Sequence, residues 1–223
     1  MAVASSIFAP QAERRDSSAP SASDVVGQFK AGFVNARGFP ESVTEFIVRT
    51  DDPDVADVIT GLFGGQPEDC GADKNPIEVR TDANSVGVIV APGGIRSGYV
   101  LWGNRQLIQR CDGEHITWSK DDPQDVGTRC SCYGLSPDER DKRAKNGTGC
   151  KPDTSLLFSL VDAPNLGRFR LQSGSKILLR DIQAVEAKVN EAEGPTELVL
   201  GLEPVTTKAG KTFTKITVNV KKG

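Results

Sequence analysis

Four of the five cysteines fall within one stretch of the chain, at Cys111, Cys130, Cys132 and Cys150. The segments they bracket, 112–129 and 133–149, consist mostly of charged and small polar residues. Such segments bury too little apolar surface to offset the entropy of ordering their own backbone. Something other than a hydrophobic core must hold them, and four thiolates around one zinc ion would do so. Five cysteines cannot all pair within one chain, and in a reducing compartment a cluster reads as metal ligands before disulfides. The Cys130-Ser131-Cys132 step is tighter than the usual CxxC knuckle. In an extended segment residues two apart face one side, so both sulfurs could reach the same ion. Cys111 is expected at the end of one core strand and Cys150 at the start of the next. Independent thiols or disulfides are the competing readings. His115 reads as a solvated loop histidine, with replacement of a cysteine ligand as its alternative. Cys70, beside Glu68, Asp69 and Asp73, reads as a lone thiol.

Composition narrows the function classes. A net charge of −3 and a pI near 5.4 argue against a protein that coats nucleic acid by charge alone. A single histidine leaves little for a Ser-His-Asp triad or a two-histidine metal centre. The chain has no phosphate-cradling loop with its lysine, no GxSxG elbow and no HExxH. The expectation is a protein that is not an enzyme and takes no small-molecule substrate. No apolar run is long enough for a membrane helix and no secretory pattern opens the chain, so a cytoplasmic setting is expected.

The first 24 residues, rich in Ala, Ser and Pro, read as a disordered tail. A partner-binding arm anchored by Ile7 and Phe8 is the sharper alternative. From residue 25 to 223 the pattern is that of a single domain. VVGQFKAGF and SVTEFIVRT alternate as half-buried strands do. Asp52 and Pro53 open a helix with Val55, Val58, Ile59 and Leu62 on one face, and Gly64-Gly65 closes it. Residues 66–76 read as a loop, 77–81 and 86–92 as strands, and GYVLWGNRQLIQRC as two strands about a turn. Beyond the cysteines, TSLLFSLVDAPNLGRFRLQSG predicts a hairpin. Ser175 caps a helix bearing Leu178, Ile182, Val185 and Val189, and a hairpin around residues 208–211 ends the chain. This predicts an α+β fold, a largely antiparallel sheet with two or three helices, into which the cysteine region 111–150 is inserted.

The run DERDKRAKNG at 138–147 carries mixed charge at helical spacing, which is usually a solvated face. Displayed by a zinc clip, it could instead serve a partner. Trp118, Tyr133, Arg140 and Arg143 are the candidate partner-binding residues, since aromatics and arginines on polar loops suit interfaces. The rival reading is a zinc-stabilised nucleic-acid-binding accessory protein whose Arg129, Arg140, Lys142, Arg143 and Lys145 track a phosphate backbone. A zinc hydrolase is disfavoured by the four-cysteine ligand set.

Several of these segments also resemble a known family. Trp102, the step Arg110-Cys111-Asp112-Gly113, the Cys130/Cys132 pair, Cys150-Lys151-Pro152, and the turn and strand from Pro164 to Phe169 occur in the expected order. So does the strand-helix unit ending Leu62-Phe63-Gly64-Gly65. Together they are similar to the recombination directionality factors that partner large serine integrases of actinobacterial phages. The resemblance covers roughly residues 25–220. It implies a control protein that binds the integrase near its C-terminal zinc-bearing and coiled-coil region and touches DNA only through it. Excision of the prophage (attL × attR) would be favoured and integration (attP × attB) suppressed.

Overall fold

The computed structural model describes residues 25–34, 37, 40–104, 106–206, 210 and 212–221. The expected tail at 1–24, with Ile7 and Phe8, lies outside these residues, as does most of the expected turn at 208–211. β1 (Val25–Val34) and β2 (Pro40–Thr50) form the first hairpin. α1 (Pro53–Phe63) follows, and the Asp52 carboxylate accepts the Asp54 N–H at 2.9 Å to cap it. Gly64, at φ 73°, ends it in a conformation that other residues rarely adopt. Its buried face is Val55, Ala56 and Ile59, whereas Val58 and Leu62 are exposed. The small Ala56 lets that arc of the helix lie against the sheet, which turns Val58 and Leu62 outward.

Next come β3 (Pro67–Asp69), β4 (Ile77–Arg80), β5 (Ser85–Val90), β6 (Ile95–Gly103), β7 (Gln106–Cys111) and β8 (Ile116–Ser119). α2 (Pro137–Lys145) precedes β9 (Lys151–Leu160) and β10 (Arg168–Ser173). α3 (Lys176–Glu191) and the hairpin β11 (Thr196–Thr206) and β12 (Thr212–Val220) complete the fold. α3 starts at Ser175 and buries Leu178, Leu179, Ile182 and Val189, with Val185 half-buried.

The α+β expectation is overturned. All twelve strands belong to one sheet, so the fold is β-rich, and the sheet is mixed because β1 runs parallel to β10. Two causes account for the difference. β3 is short and polar, and β8 spans only four residues, too few for its Ile116/Trp118 alternation to mark a strand. The helix on the cysteine segment, α2, buries no residue of its own, which leaves α1 and α3 to pack on the sheet.

The sheet forks at β9. One edge of β9 pairs with β10, which leads to β1, β2, β4 and β3. Its other edge is shared: Lys151–Leu156 pair with β6, while Ser159 and Leu160 pair with β5. The chain bends sharply between β5 and β6 at Gly93-Gly94. A Cβ on Gly94 would lie 2.8 Å from Val90 Cγ1 and 2.9 Å from the carbonyl oxygens of Ala91 and Leu157. Only glycine fits there. One branch, β5-β11-β12, belongs to the main core; the other, β6-β7-β8, leads to the cysteines.

That core is built on Phe29. Its ring meets those of Phe46, Phe158 and Phe169 edge-on at centroid distances of 5.6, 5.4 and 5.4 Å, and Phe63 at 6.5 Å. Aliphatic residues from β5, β9, β11 and α3 fill the remaining space.

Candidate metal centre

β6 lies between β7 and β9, and Tyr99 on β6 faces Cys111 on one side and Pro152 on the other. Cys111 therefore ends one flanking strand while Cys150 stands just before the other. Strands two apart are about 9.6 Å from each other, so a group bridging these cysteines clamps three strands at once. Gly98 is needed at this crossing, because a Cβ there would meet the Cys111 carbonyl oxygen at 2.8 Å.

The other two sulfurs come from the segment between. Its first part pairs back along β7 through β8, and the His115–Arg129 bridge continues that pairing. The Cys130 N–H donates to the Glu114 carbonyl at 2.8 Å. From Cys130 the chain coils into turns, with the Tyr133 N–H on the Cys130 carbonyl at 2.9 Å. The Cys-Ser-Cys step is thus turned, not extended as its spacing suggested. In this turn the Cys132 N–H also points at the Cys130 sulfur.

All four cysteines are buried and reduced, and their sulfurs lie within 4.8 Å of one another. The Sγ–Sγ separations are 3.2 Å for Cys130 and Cys132, 3.5 Å for Cys111 and Cys132, and 3.6 Å for Cys130 and Cys150. A tetrahedral ion with metal–sulfur bonds of about 2.3 Å requires sulfurs about 3.8 Å apart. The site therefore suits a metal ion held by four sulfurs, with little movement needed. Apolar cover is thin: Ile116 is buried beside the cysteines, and Tyr99, Leu101 and Leu135 pack around them.

The electrostatics agree with a cation at the centre. The Cys111 thiol is pushed up by its hydrogen bond with Cys150 and by burial, and Cys132 is pushed up to about 12 by burial and its sulfur neighbours. At Cys130 burial opposes ionisation, but hydrogen bonds from the Cys132 N–H and from the other thiols outweigh it and bring the group down. Of the three shifted thiols, Cys130 is the one that ionises most readily. A cation would allow the rest to ionise.

The residues around the sulfurs are set by α2 and β7. Ser136 and Glu139 form a capping box at the start of α2, and Pro137 occupies its first turn. Gly149 lets this helix close on the site, since a Cβ there would lie 2.5 Å from Arg143 Cβ. Gln109 Nε2 donates to the Cys130 sulfur at 3.1 Å. Sequence reasoning passed over Gln109. The signal was its position two residues before Cys111 on the same strand, which puts both side chains on one face.

His115 stays outside the sulfur group as an exposed loop residue, its N–H on Asp112 Oδ1 at 2.7 Å. Two backbone hydrogen bonds, from His115 and Glu114, hold the Asp112 carboxyl below its ordinary range. Cys70 stands apart, its thiol 3.8 Å from the Asn75 carbonyl.

The four interface candidates occupy different settings. Trp118 is exposed on β8, opposite Arg110. Tyr133 is exposed under the Arg129 guanidinium, 4.6 Å from its ring centroid. Arg143 is exposed and donates to the Ser131 carbonyl at 3.5 Å. Arg140 is half-buried, lying 5.7 Å over the Tyr99 ring and donating to the Gly113 carbonyl. It braces α2 against the cysteine loop. Among the described residues no helix is long and apolar enough to cross a membrane.

The class defined here is a β-rich fold with four buried cysteines, able to hold a metal ion, on one arm of a forked sheet. Within that class the chain belongs to the Gp3-like family, described as recombination directionality factor-like, which it matches over residues 26–221. No solved structure matches it.

Proposed function

We propose that the protein is a recombination directionality factor that binds a large serine integrase and turns it from integration (attP × attB) toward excision (attL × attR). Family membership across almost the whole chain carries this reading. On it, the protein is not an enzyme. It works in the cytoplasm of a bacterial host and acts on the integrase's C-terminal zinc-bearing and coiled-coil region. It can shift the reaction only by binding one arrangement of the integrase more tightly than the other. A difference of about 2–3 kcal/mol changes that preference about 30- to 150-fold.

The ion in this reading is zinc, because four thiolates form a soft, closed, tetrahedral donor set. Cys111, Cys130, Cys132 and Cys150 would hold it, and its role would be to fix the cysteine segment. The Gln109 amide and the Cys132 N–H would stabilise the thiolates. Trp118, Tyr133 and Arg143 are exposed on the segment so held and are the proposed integrase contacts, with Arg140 positioning α2 behind them.

An in vitro recombination assay with the cognate integrase tests the function. Adding the protein should raise attL × attR recombination and suppress attP × attB. If neither reaction changes, the reading fails. Metal content is a separate test. Purified protein should hold about one zinc per chain, and a Cys130→Ser, Cys132→Ser variant should lose it.

A further inference from the structure

The fork in the sheet leaves an open cleft of about 810 Å³. β5 and β6 take up the same edge of β9 one after the other and then diverge, which opens the angle between them. The turn at Gly93-Gly94 marks the apex. There the Gly93 N–H donates to Asn190 Oδ1 of α3 at 2.8 Å, which fixes the shape of the opening. Ile89, Pro92 and Pro195 form an apolar wall on the β5 side and Trp118 stands on the β8 side, while Leu157 of β9 also lines the cleft.

Arg96, Arg110 and Arg168 line the same cleft against a single acidic residue, Glu186. Glu186 already accepts from the Ser97 hydroxyl, and Arg110 is bonded to Asp153 at 3.2 Å. Arg96 is exposed, and among the described residues no carboxylate lies within 4 Å of it. Burial first, and then the charges of Arg110 and Arg170, outweigh Asp153 and bring its pKa below the ordinary value. A guanidinium so placed gains from a carboxylate brought by a partner.

The pairing of residue types narrows the occupant. Trp and Arg are the side chains that most often anchor protein interfaces, a ring packed on apolar surface and a guanidinium gripping a carboxylate. Trp118 is 41% exposed, so the free chain leaves much of its ring in water. Trp102, also exposed, lies on β6 outside the cleft. An occupant must supply apolar surface to Trp118 and the prolines, and acid to the guanidiniums. A basic segment fails the second requirement, and a wholly polar one fails the first.

We propose that this cleft takes an acidic segment of the integrase, with an apolar side chain of that segment on Trp118 and a carboxylate on Arg96. The proposal rests on reading the protein as an integrase-binding factor and adds where the complex is anchored and by what chemistry. Tyr133 and Arg143 lie outside the cleft and are peripheral to that anchor.

Titration of the full-length, metal-loaded protein with the full-length cognate integrase provides the test. Arg96→Glu and Trp118→Ala should each weaken binding about thirtyfold or more, and Trp118→Phe should keep most of it. Lys74→Glu, the same charge change in the loop between β3 and β4, should leave affinity within about twofold. Binding should weaken as salt rises. Integrase should also slow amide exchange across residues 92–98 and 116–119. Thermal melts and metal content check folding. If Arg96→Glu fails to fold, the milder Arg96→Gln should still weaken binding about tenfold.

If wild-type protein redirects recombination while both cleft variants bind integrase as tightly as wild type, the cleft is not the anchor and the functional reading stands. If wild-type protein leaves recombination unchanged, the functional reading falls and this one falls with it. Exchange protection at 92–98 that is present without integrase would also overturn the proposal. Its loss on deleting residues 1–24 would assign the cleft to the chain's own tail, and its growth with protein concentration to a second copy.

Discussion

The phenylalanine core and the cysteine arm are stabilised by different physics. Around Phe29 four other rings and a shell of aliphatic residues exclude water, so stability there scales with buried apolar area. Among the described residues around the cysteines, Ile116 is the one buried aliphatic side chain, and α2 buries nothing. Order in that arm comes from backbone pairing with β7, from the capping box of α2 and from Arg140 on Tyr99 and Gly113, and, on the proposed reading, from coordination. A protein so divided can keep its main fold while its arm changes state with metal supply.

Metal removal gives the largest expected effect. A strong chelator should abolish amide-exchange protection across residues 112–149 while β1, β9 and β10 stay protected. Structural four-ligand zinc sites contribute on the order of 10 kcal/mol to local folding. Uniform loss of protection in both regions would show that the arm and the core are not separable.

Phe29→Ala should act in the opposite place, lowering global stability by about 3–5 kcal/mol in a denaturant titration with metal bound. Metal affinity should change little, and a parallel loss of metal would break the comparison. Gln109→Ala should weaken metal binding by about ten- to hundredfold in a chelator competition and leave the unfolding midpoint of the core nearly unchanged.

The pH dependence of metal binding has a definite sign. Cys111 and Cys132 are held protonated at neutral pH, so a metal ion must displace about two protons or more. Affinity should therefore fall as pH falls, by about a hundredfold or more per unit near neutrality. Calorimetry in buffers of different ionisation enthalpy should register the released protons. Ser136→Ala gives the smallest effect. Loss of the capping box should fray α2 by about 1 kcal/mol, visible in local exchange alone.

The same division governs what could be read in advance. The meeting of the four cysteines was legible because cysteines clustered in polar sequence have no apolar core of their own to pack into, and their sulfurs do come together as a group that could hold a metal ion. α1 and α3 were legible from their caps and apolar periods. The class of fold was not, because β3 is polar and short and β8 spans only four residues. β1 and β10 are far apart in sequence, and nothing local encodes their pairing. The turned Cys130–Cys132 step and the support from Gln109 depend on backbone direction, which spacing alone leaves open.

The parallel pairing of β1 with β10 has a consequence for how the chain is made. Val25 has no partner on that edge until Arg168 leaves the ribosome. At ordinary elongation rates that wait lasts roughly 7–30 s. β1 and β2 can form their hairpin early, but Phe29 must await Phe158 and Phe169. During synthesis the first third of the chain therefore carries an open strand edge and an uncovered aromatic surface. Chaperone occupancy and aggregation of nascent chains should be greatest in that interval, and should drop once residue 173 has emerged.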